Sequence, residues 1–159
     1  MKRFLKTWLF IIPLILSGCI PKKNSTTKIH ETSQISYAVE HSYSEILEFK
    51  IKWSEVFEID LQNYYVYFYS KTCSHCQNLK NLVIETALKT RIIFFVEASE
   101  EVIIKNYAKP QFCLTSAEIF AISGYPSIAQ ISNKICIKNV SGEDQILMIL
   151  NFLNEKYIG

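Results

Sequence analysis

Two cysteines separated by two residues, Cys73 and Cys76, stand where one hydrophobic period gives way to another. Before them runs Tyr64-Tyr65-Val66-Tyr67-Phe68-Tyr69, aromatic and β-branched with no polar alternation. Such a run reads as a strand covered on both faces. After them, from Cys76 to Lys89, Leu79, Leu82, Val83 and Ala87 recur at helical spacing, with Lys80 and Lys89 off the apolar face. Ile92-Ile93-Phe94-Phe95-Val96 then reads as a second buried strand. A strand–helix–strand unit with a helix of this length implies parallel pairing through a right-handed crossover. The C-x-x-C therefore falls at the end of a strand and the start of a helix.

That junction has chemical meaning. The attacking species in disulfide exchange is a thiolate, and a helix N-terminus stabilises negative charge. Cys73 is placed as the exposed nucleophile. Cys76, one turn into the helix and more buried, is placed as the resolving thiol. Half of a zinc site is the other reading, but a structural site takes four ligands, usually from paired motifs. Cys113 and Cys136 are single and far apart in sequence, and His30 and His41 lie ahead of the folded region, so no metal is expected.

On either side of this unit the pattern is less sharp. Between Tyr43 and Asp60, Phe49-Lys50-Ile51-Lys52-Trp53 alternates like a strand, while Ile46, Leu47, Trp53, Val56 and Phe57 suit a helical face. A short strand followed by a helix capped by Ser54 satisfies both. Residues 99–123 read as mostly helical, in two pieces broken at Pro110 and closed by Gly124 as a C-cap. Ser127–Ile131 and Ile135–Lys138 flank Ser132-Asn133-Lys134 as a β-hairpin. Gly142-Glu143-Asp144 then opens a last helix carrying Ile146, Ile149, Leu150 and Leu153. The order is β-α-β, a connector, then β-β-α.

A C-x-x-C at this junction resembles the thioredoxin family. Gly124-Tyr125-Pro126-Ser127, just before the hairpin, is similar to that family's Gly-x-Pro-Thr-like cis-proline loop. The resemblance spans about Tyr43 to Gly159. It implies an α/β, thioredoxin-like fold, a central mixed sheet flanked by helices. It also implies that Pro126 packs opposite Cys73 and Cys76, and that the backbone of Tyr125 pairs with a substrate peptide. His75 resembles the C-x-H-C of the oxidising and isomerising branches, where it helps to stabilise the Cys73 thiolate. A stabilised reduced form makes a stronger oxidant. Thr72 stands where a Trp is usual in thioredoxins, and Tyr67 where they keep a buried Asp. Tyr125 is bulkier than the usual Ile, Val or Thr. These departures make a housekeeping reductase less expected. The family needs no cofactor beyond its own cysteine pair.

The first 18 residues read as an export signal. Lys2, Arg3 and Lys6 precede the apolar run Trp8–Leu16, which is shorter than the about 20 residues a membrane-spanning helix needs. Leu16-Ser17-Gly18-Cys19 resembles the bacterial lipobox, which implies cleavage before Cys19 and lipidation of its thiol. Residues 19–42, rich in Ser, Thr, Lys and Asn, read as a flexible tether, and 43–159 as the folded domain. The basic residues remaining after the signal nearly balance the 15 acidic ones, so a nucleic-acid binder is not expected.

The five cysteines leave Cys113 and Cys136 outside the C-x-x-C and the lipobox. An oxidising compartment permits a disulfide between them, but spacing alone does not supply their separation. The expectation is an extracytoplasmic, membrane-anchored thiol–disulfide oxidoreductase, acting on cysteine-containing exported proteins with an oxidising or isomerising bias. A redox partner recycles it. A reductase fed by a membrane electron donor, or a non-catalytic accessory or binding lipoprotein, are the alternatives.

Overall fold

The computed structural model describes residues 39–106 and 112–157. Four strands form one sheet: β1 (Asn63–Tyr69), β2 (Ile93–Glu97), β3 (Ser127–Ser132) and β4 (Ile135–Ser141), in the order β2-β1-β3-β4. β1 and β2 are parallel, with Tyr67 opposite Phe95. β1 and β3 are antiparallel, with Tyr67 opposite Ile128, and β3 and β4 form an antiparallel hairpin. The two helices are α1 (Ser74–Thr90) and α2 (Glu143–Tyr157), which pack against each other.

The aromatic run makes β1 the central strand. Side chains alternate across a strand, so Tyr65, Tyr67 and Tyr69 enter one core with α1 and α2, including Leu79, Val83 and Leu150. Tyr64, Val66 and Phe68 enter a second core with Trp53, Phe57, Phe120 and Ile122. Both faces are buried, which is why the run shows no polar alternation. Each fully buried side chain of this size contributes about 1.5–3 kcal/mol. Buried polar tips find partners where they can: the Tyr64 hydroxyl donates to the Val56 carbonyl at 2.8 Å.

The hairpin turns on Asn133 and Lys134, both in the left-handed region (φ 49° and 64°). That pair of conformations matches the right-handed twist of the flanking strands. Helix α1 starts two residues earlier than its apolar period suggests, because Cys73 is its N-cap. Arg91, at φ 56°, ends it in the left-handed region.

Two expectations are corrected. The connector is not helical in the described residues 99–106 and 112–123. It is extended and turned, held by isolated bridges between Ile104 and Ile122 and between Leu114 and Cys136. Its apolar residues serve the second core one at a time: Val102, Phe120 and Ile122 are buried. Gly124 has a positive φ of 154° but caps no helix. Pro110 lies outside the described residues. Ahead of β1, the expected strand is a single bridge from Lys50 to Phe95, and the expected helix is a 3-10 turn, Trp53–Glu55. Ser54 lies inside that turn, whose start is held by the Glu55 carboxylate accepting from the Lys52 amide at 2.7 Å.

Candidate active site

The chain leaves β1 at Tyr69, turns through Ser70-Lys71-Thr72, and enters α1 at Cys73. The Cys73 amide donates to the Ser70 carbonyl at 3.2 Å, which fixes the turn. The Cys73 sulfur then accepts from the Cys76 amide at 3.3 Å. A sulfur occupies the position usually taken by a capping oxygen, so one amide left free in the first helical turn points at the Cys73 sulfur. That amide and the helix dipole both favour negative charge on the sulfur.

Exposure separates the two thiols. Cys73 is partly exposed, whereas Cys76 is 0% exposed in the core beneath it. Burial pushes the Cys76 thiol up to about 12, and the adjoining Cys73 sulfur adds to that. The Ser70 backbone and the Tyr67 hydroxyl act in the opposite direction.

The other wall comes from the loop before β3. The Cys73 sulfur lies 3.6 Å from the carbonyl oxygen of Tyr125, and the Tyr125–Pro126 peptide bond is cis. Pro126 is buried and Tyr125 half-buried. A β-α-β unit, a β-β-α unit, a dithiol at the first helix and this loop across from it now stand together. The chain has a thioredoxin-like fold.

No family model matches the chain, and no curated protein matches it in sequence. Solved structures that it resembles include thioredoxin f2 of Chlamydomonas reinhardtii, 13% identical over 68% of this chain and 94% of that one, with a TM-score of 0.42. A mutant thioredoxin of Halobacterium salinarum is 16% identical over 68% of this chain and 90% of that one, at a TM-score of 0.44. Thioredoxin f from spinach chloroplast is 11% identical over 73% of this chain and 99% of that one, at 0.43.

The structure thus brings Cys73, Cys76, Tyr125 and Pro126 together. His75 is oriented differently. Its ring is 67% exposed, and its Nδ1 meets the Glu143 carboxylate at 2.8 Å, at the start of α2. The same carboxylate accepts from the Asn78 side chain at 3.2 Å. No hydrogen bond joins His75 to Cys73 among the described residues. Cys19, with the signal and most of the tether, lies outside the described residues. Among those residues no helix is long and apolar enough to cross a membrane, and no group of three or more metal-ligating side chains gathers.

Two tyrosines beneath the dithiol go beyond what the sequence indicates. The Tyr67 hydroxyl is buried, without a hydrogen-bond partner, yet close enough to Cys76 to lower its pKa. Tyr43, stacked on Tyr69 at 4.2 Å between ring centroids, also buries an unpartnered hydroxyl. Burial raises the pKa of both phenols strongly, and both cysteines add to it. The Tyr67 role is legible only from its place six residues before Cys73. That of Tyr43 depends on its stacking against Tyr69, 26 residues further along, which no local pattern encodes.

Behind them sits Glu97, at the end of β2. Burial alone would raise its pKa, but Lys71, Lys50 and the Tyr69 hydroxyl hold it below the usual carboxylate value. Lys71 pairs with it at 2.7 Å, Lys50 at 3.3 Å, and Tyr69 donates to it at 3.1 Å.

Proposed function

We propose that this chain is a thiol–disulfide oxidoreductase, tethered through a lipidated Cys19 on the extracytoplasmic face of a membrane, acting on the cysteines of exported proteins. The observation that carries the reading is the pairing at the helix start: one partly exposed sulfur capped by the amide of a second, buried cysteine.

In the reducing direction, the Cys73 thiolate attacks one sulfur of a substrate disulfide. A Cys73–substrate bond forms, the substrate bond breaks, and the departing sulfur takes a proton. Cys76 then loses its proton and attacks the Cys73 sulfur. The second substrate thiol leaves, and Cys73–Cys76 becomes the disulfide, so two electrons pass to the substrate. The oxidising direction is the reverse. In the mixed disulfide Cys73 carries no charge, which removes one cause of the high Cys76 pKa just when Cys76 must ionise. The Tyr67 hydroxyl, free of any other partner, is then available to that thiolate. The Tyr125 carbonyl, facing Cys73, is available to an N–H of an extended substrate peptide.

The oxidising or isomerising bias rests on the His75 resemblance. A second reading, a reductase fed by a membrane electron donor, is favoured by the Glu143 carboxylate. A carboxylate at 2.8 Å from the ring offsets the charge that an imidazolium would present to Cys73. The reduction potential of the Cys73–Cys76 couple against glutathione decides between them. A value of about −120 to −180 mV supports the oxidising or isomerising reading, and one near about −270 mV supports the reductase. A Cys73→Ala chain that retains full function in cells would make it an accessory protein instead.

A further inference from the structure

The sheet separates two pairs of cysteines. Cys73 and Cys76 pack on the face covered by α1 and α2. Cys136, in β4, is 0% exposed on the opposite face, in the core of Trp53, Val66 and Ile131. Cys113 lies at the surface beside the same strand.

One backbone hydrogen bond joins this second pair directly, and another joins Cys136 to the residue after Cys113. The Cys113 amide donates to the Cys136 carbonyl at 2.9 Å, and the Cys136 amide donates to the Leu114 carbonyl at 2.8 Å. Cys113 and Leu114 thus oppose a single residue, and Cys113 has a φ of 62°. Two residues against one, the first in the left-handed region, is the pattern of a β-bulge. Few non-glycine residues adopt that φ, so the pairing holds Cys113 where it is. Directly opposed residues of an antiparallel pair have Cα atoms about 4.5–5.5 Å apart, and Cys113 shares the place opposite Cys136 with Leu114. A disulfide spans about 4.4–6.8 Å between Cα atoms. Burial raises the Cys136 thiol to about 11, and the nearby Cys113 sulfur adds to that.

We propose that Cys113 and Cys136 form a second disulfide, on the face of the sheet away from Cys73 and Cys76. The oxidant is a small disulfide such as oxidised glutathione. The exposed Cys113 thiolate attacks it, forming a Cys113–glutathione bond and releasing one glutathione, which takes up a proton. Cys136 loses its proton and attacks the Cys113 sulfur, and the second glutathione leaves as a thiol. Both cysteines are oxidised by one electron each, and one glutathione disulfide becomes two thiols. Cys136 is too buried to meet the oxidant itself, so the order is fixed.

The bond closes a loop, residues 113–136, that contains β3 and the Tyr125–Pro126 segment facing Cys73. It fastens the non-helical connector to the edge strand β4. The loop that presents the Tyr125 carbonyl is then held from both of its ends.

The test uses the full chain carrying Cys73→Ser and Cys76→Ser, which removes the first pair from the outcome. The chain is equilibrated with oxidised glutathione at pH 8, alkylated, and digested with trypsin without reduction. Cleavage after Lys134 separates the two cysteines into fragments 106–134 and 135–138. The expected result is a linked 106–134/135–138 species that dominates, falls apart on reduction, and is absent from the Cys113→Ser variant. Alkylation of both cysteines, glutathione retained on Cys113, or Cys113 joined to Cys19 or to a second chain would overturn the proposal. Because the first pair is absent, none of these outcomes bears on the activity assigned to Cys73 and Cys76.

Discussion

Cys73 and Tyr125 meet across 52 positions of sequence, with the sulfur 3.6 Å from the carbonyl oxygen. The contact joins the N-terminus of α1 to the loop before β3, so the Cys73 sulfur sits beside a backbone acceptor. Under the proposed function, an extended substrate donates an N–H to that oxygen while its disulfide lies against the sulfur. Recognition through the backbone is tolerant of side chains.

The buried thiol makes a prediction about pH. Cys76 stands at about 12 in the folded, reduced chain against 9.0 for an unburied thiol. The folded state therefore holds this proton more tightly than the unfolded state. The resulting stability is fully present below about pH 9 and is lost as pH rises from about 9 towards 12. Cys136, at about 11, acts in the same sense. Denaturant unfolding of the reduced chain from pH 7 to 11 should show a decline beginning near pH 9, ahead of any contribution from the tyrosines. Cys76→Ala should flatten the first part of that decline.

Tyr67 gives a prediction that separates catalysis from stability. Its hydroxyl is buried without a partner in the reduced chain. Tyr67→Phe should leave stability unchanged or slightly raised, since an unsatisfied buried hydroxyl stabilises nothing. A hydrogen bond to a charged group contributes about 1.5–3 kcal/mol, so release of the mixed disulfide by Cys76 should slow by roughly tenfold or more. Attack by Cys73 should keep its rate. Rapid-quench kinetics of the two steps, beside a denaturant titration, measures both effects.

Glu97 should matter for stability. Its removal leaves the buried Tyr69 hydroxyl without an acceptor, at a cost of about 1–3 kcal/mol. The partly exposed pairs to Lys50 and Lys71 add little. Glu97→Ala should lower the unfolding free energy by that amount, and Glu97→Gln by less, because the amide oxygen still accepts. Equilibrium unfolding in urea is the measurement.

The pair between α1 and α2 should matter little for stability. His75 is mostly exposed, and exposed ion pairs contribute at most about 1 kcal/mol. Glu143→Gln should leave the unfolding midpoint nearly unchanged. It should raise the reduction potential of Cys73–Cys76, because it removes a negative charge from beside the start of α1, where the Cys73 thiolate forms.

The parts legible in the sequence were those in which one local pattern had one physical cause. β1 showed as six consecutive apolar or aromatic residues because both of its faces are buried. The hairpin showed through Asn133 and Lys134, and α1 through its 3.6-residue period. The connector misled because Val102, Phe120 and Ile122 are apolar for a core that extended backbone reaches residue by residue. The helical spacing there was coincidental. Cys73, Cys76 and Pro126 could be placed because motif and junction agreed. The direction of the His75 ring could not, since Glu143 lies 68 residues away. Nor could the backbone hydrogen bond from Cys113 to Cys136, which depends on a bulge at φ 62°.

The most direct test is to incubate the Cys76→Ser chain, in reduced form, with an unfolded disulfide-containing protein and to map the adducts by mass spectrometry. The expected product is a stable mixed disulfide at Cys73, because the attacking thiol is intact and the resolving one is missing. No adduct, or an adduct at Cys113 with Cys73 free, would contradict the proposed function.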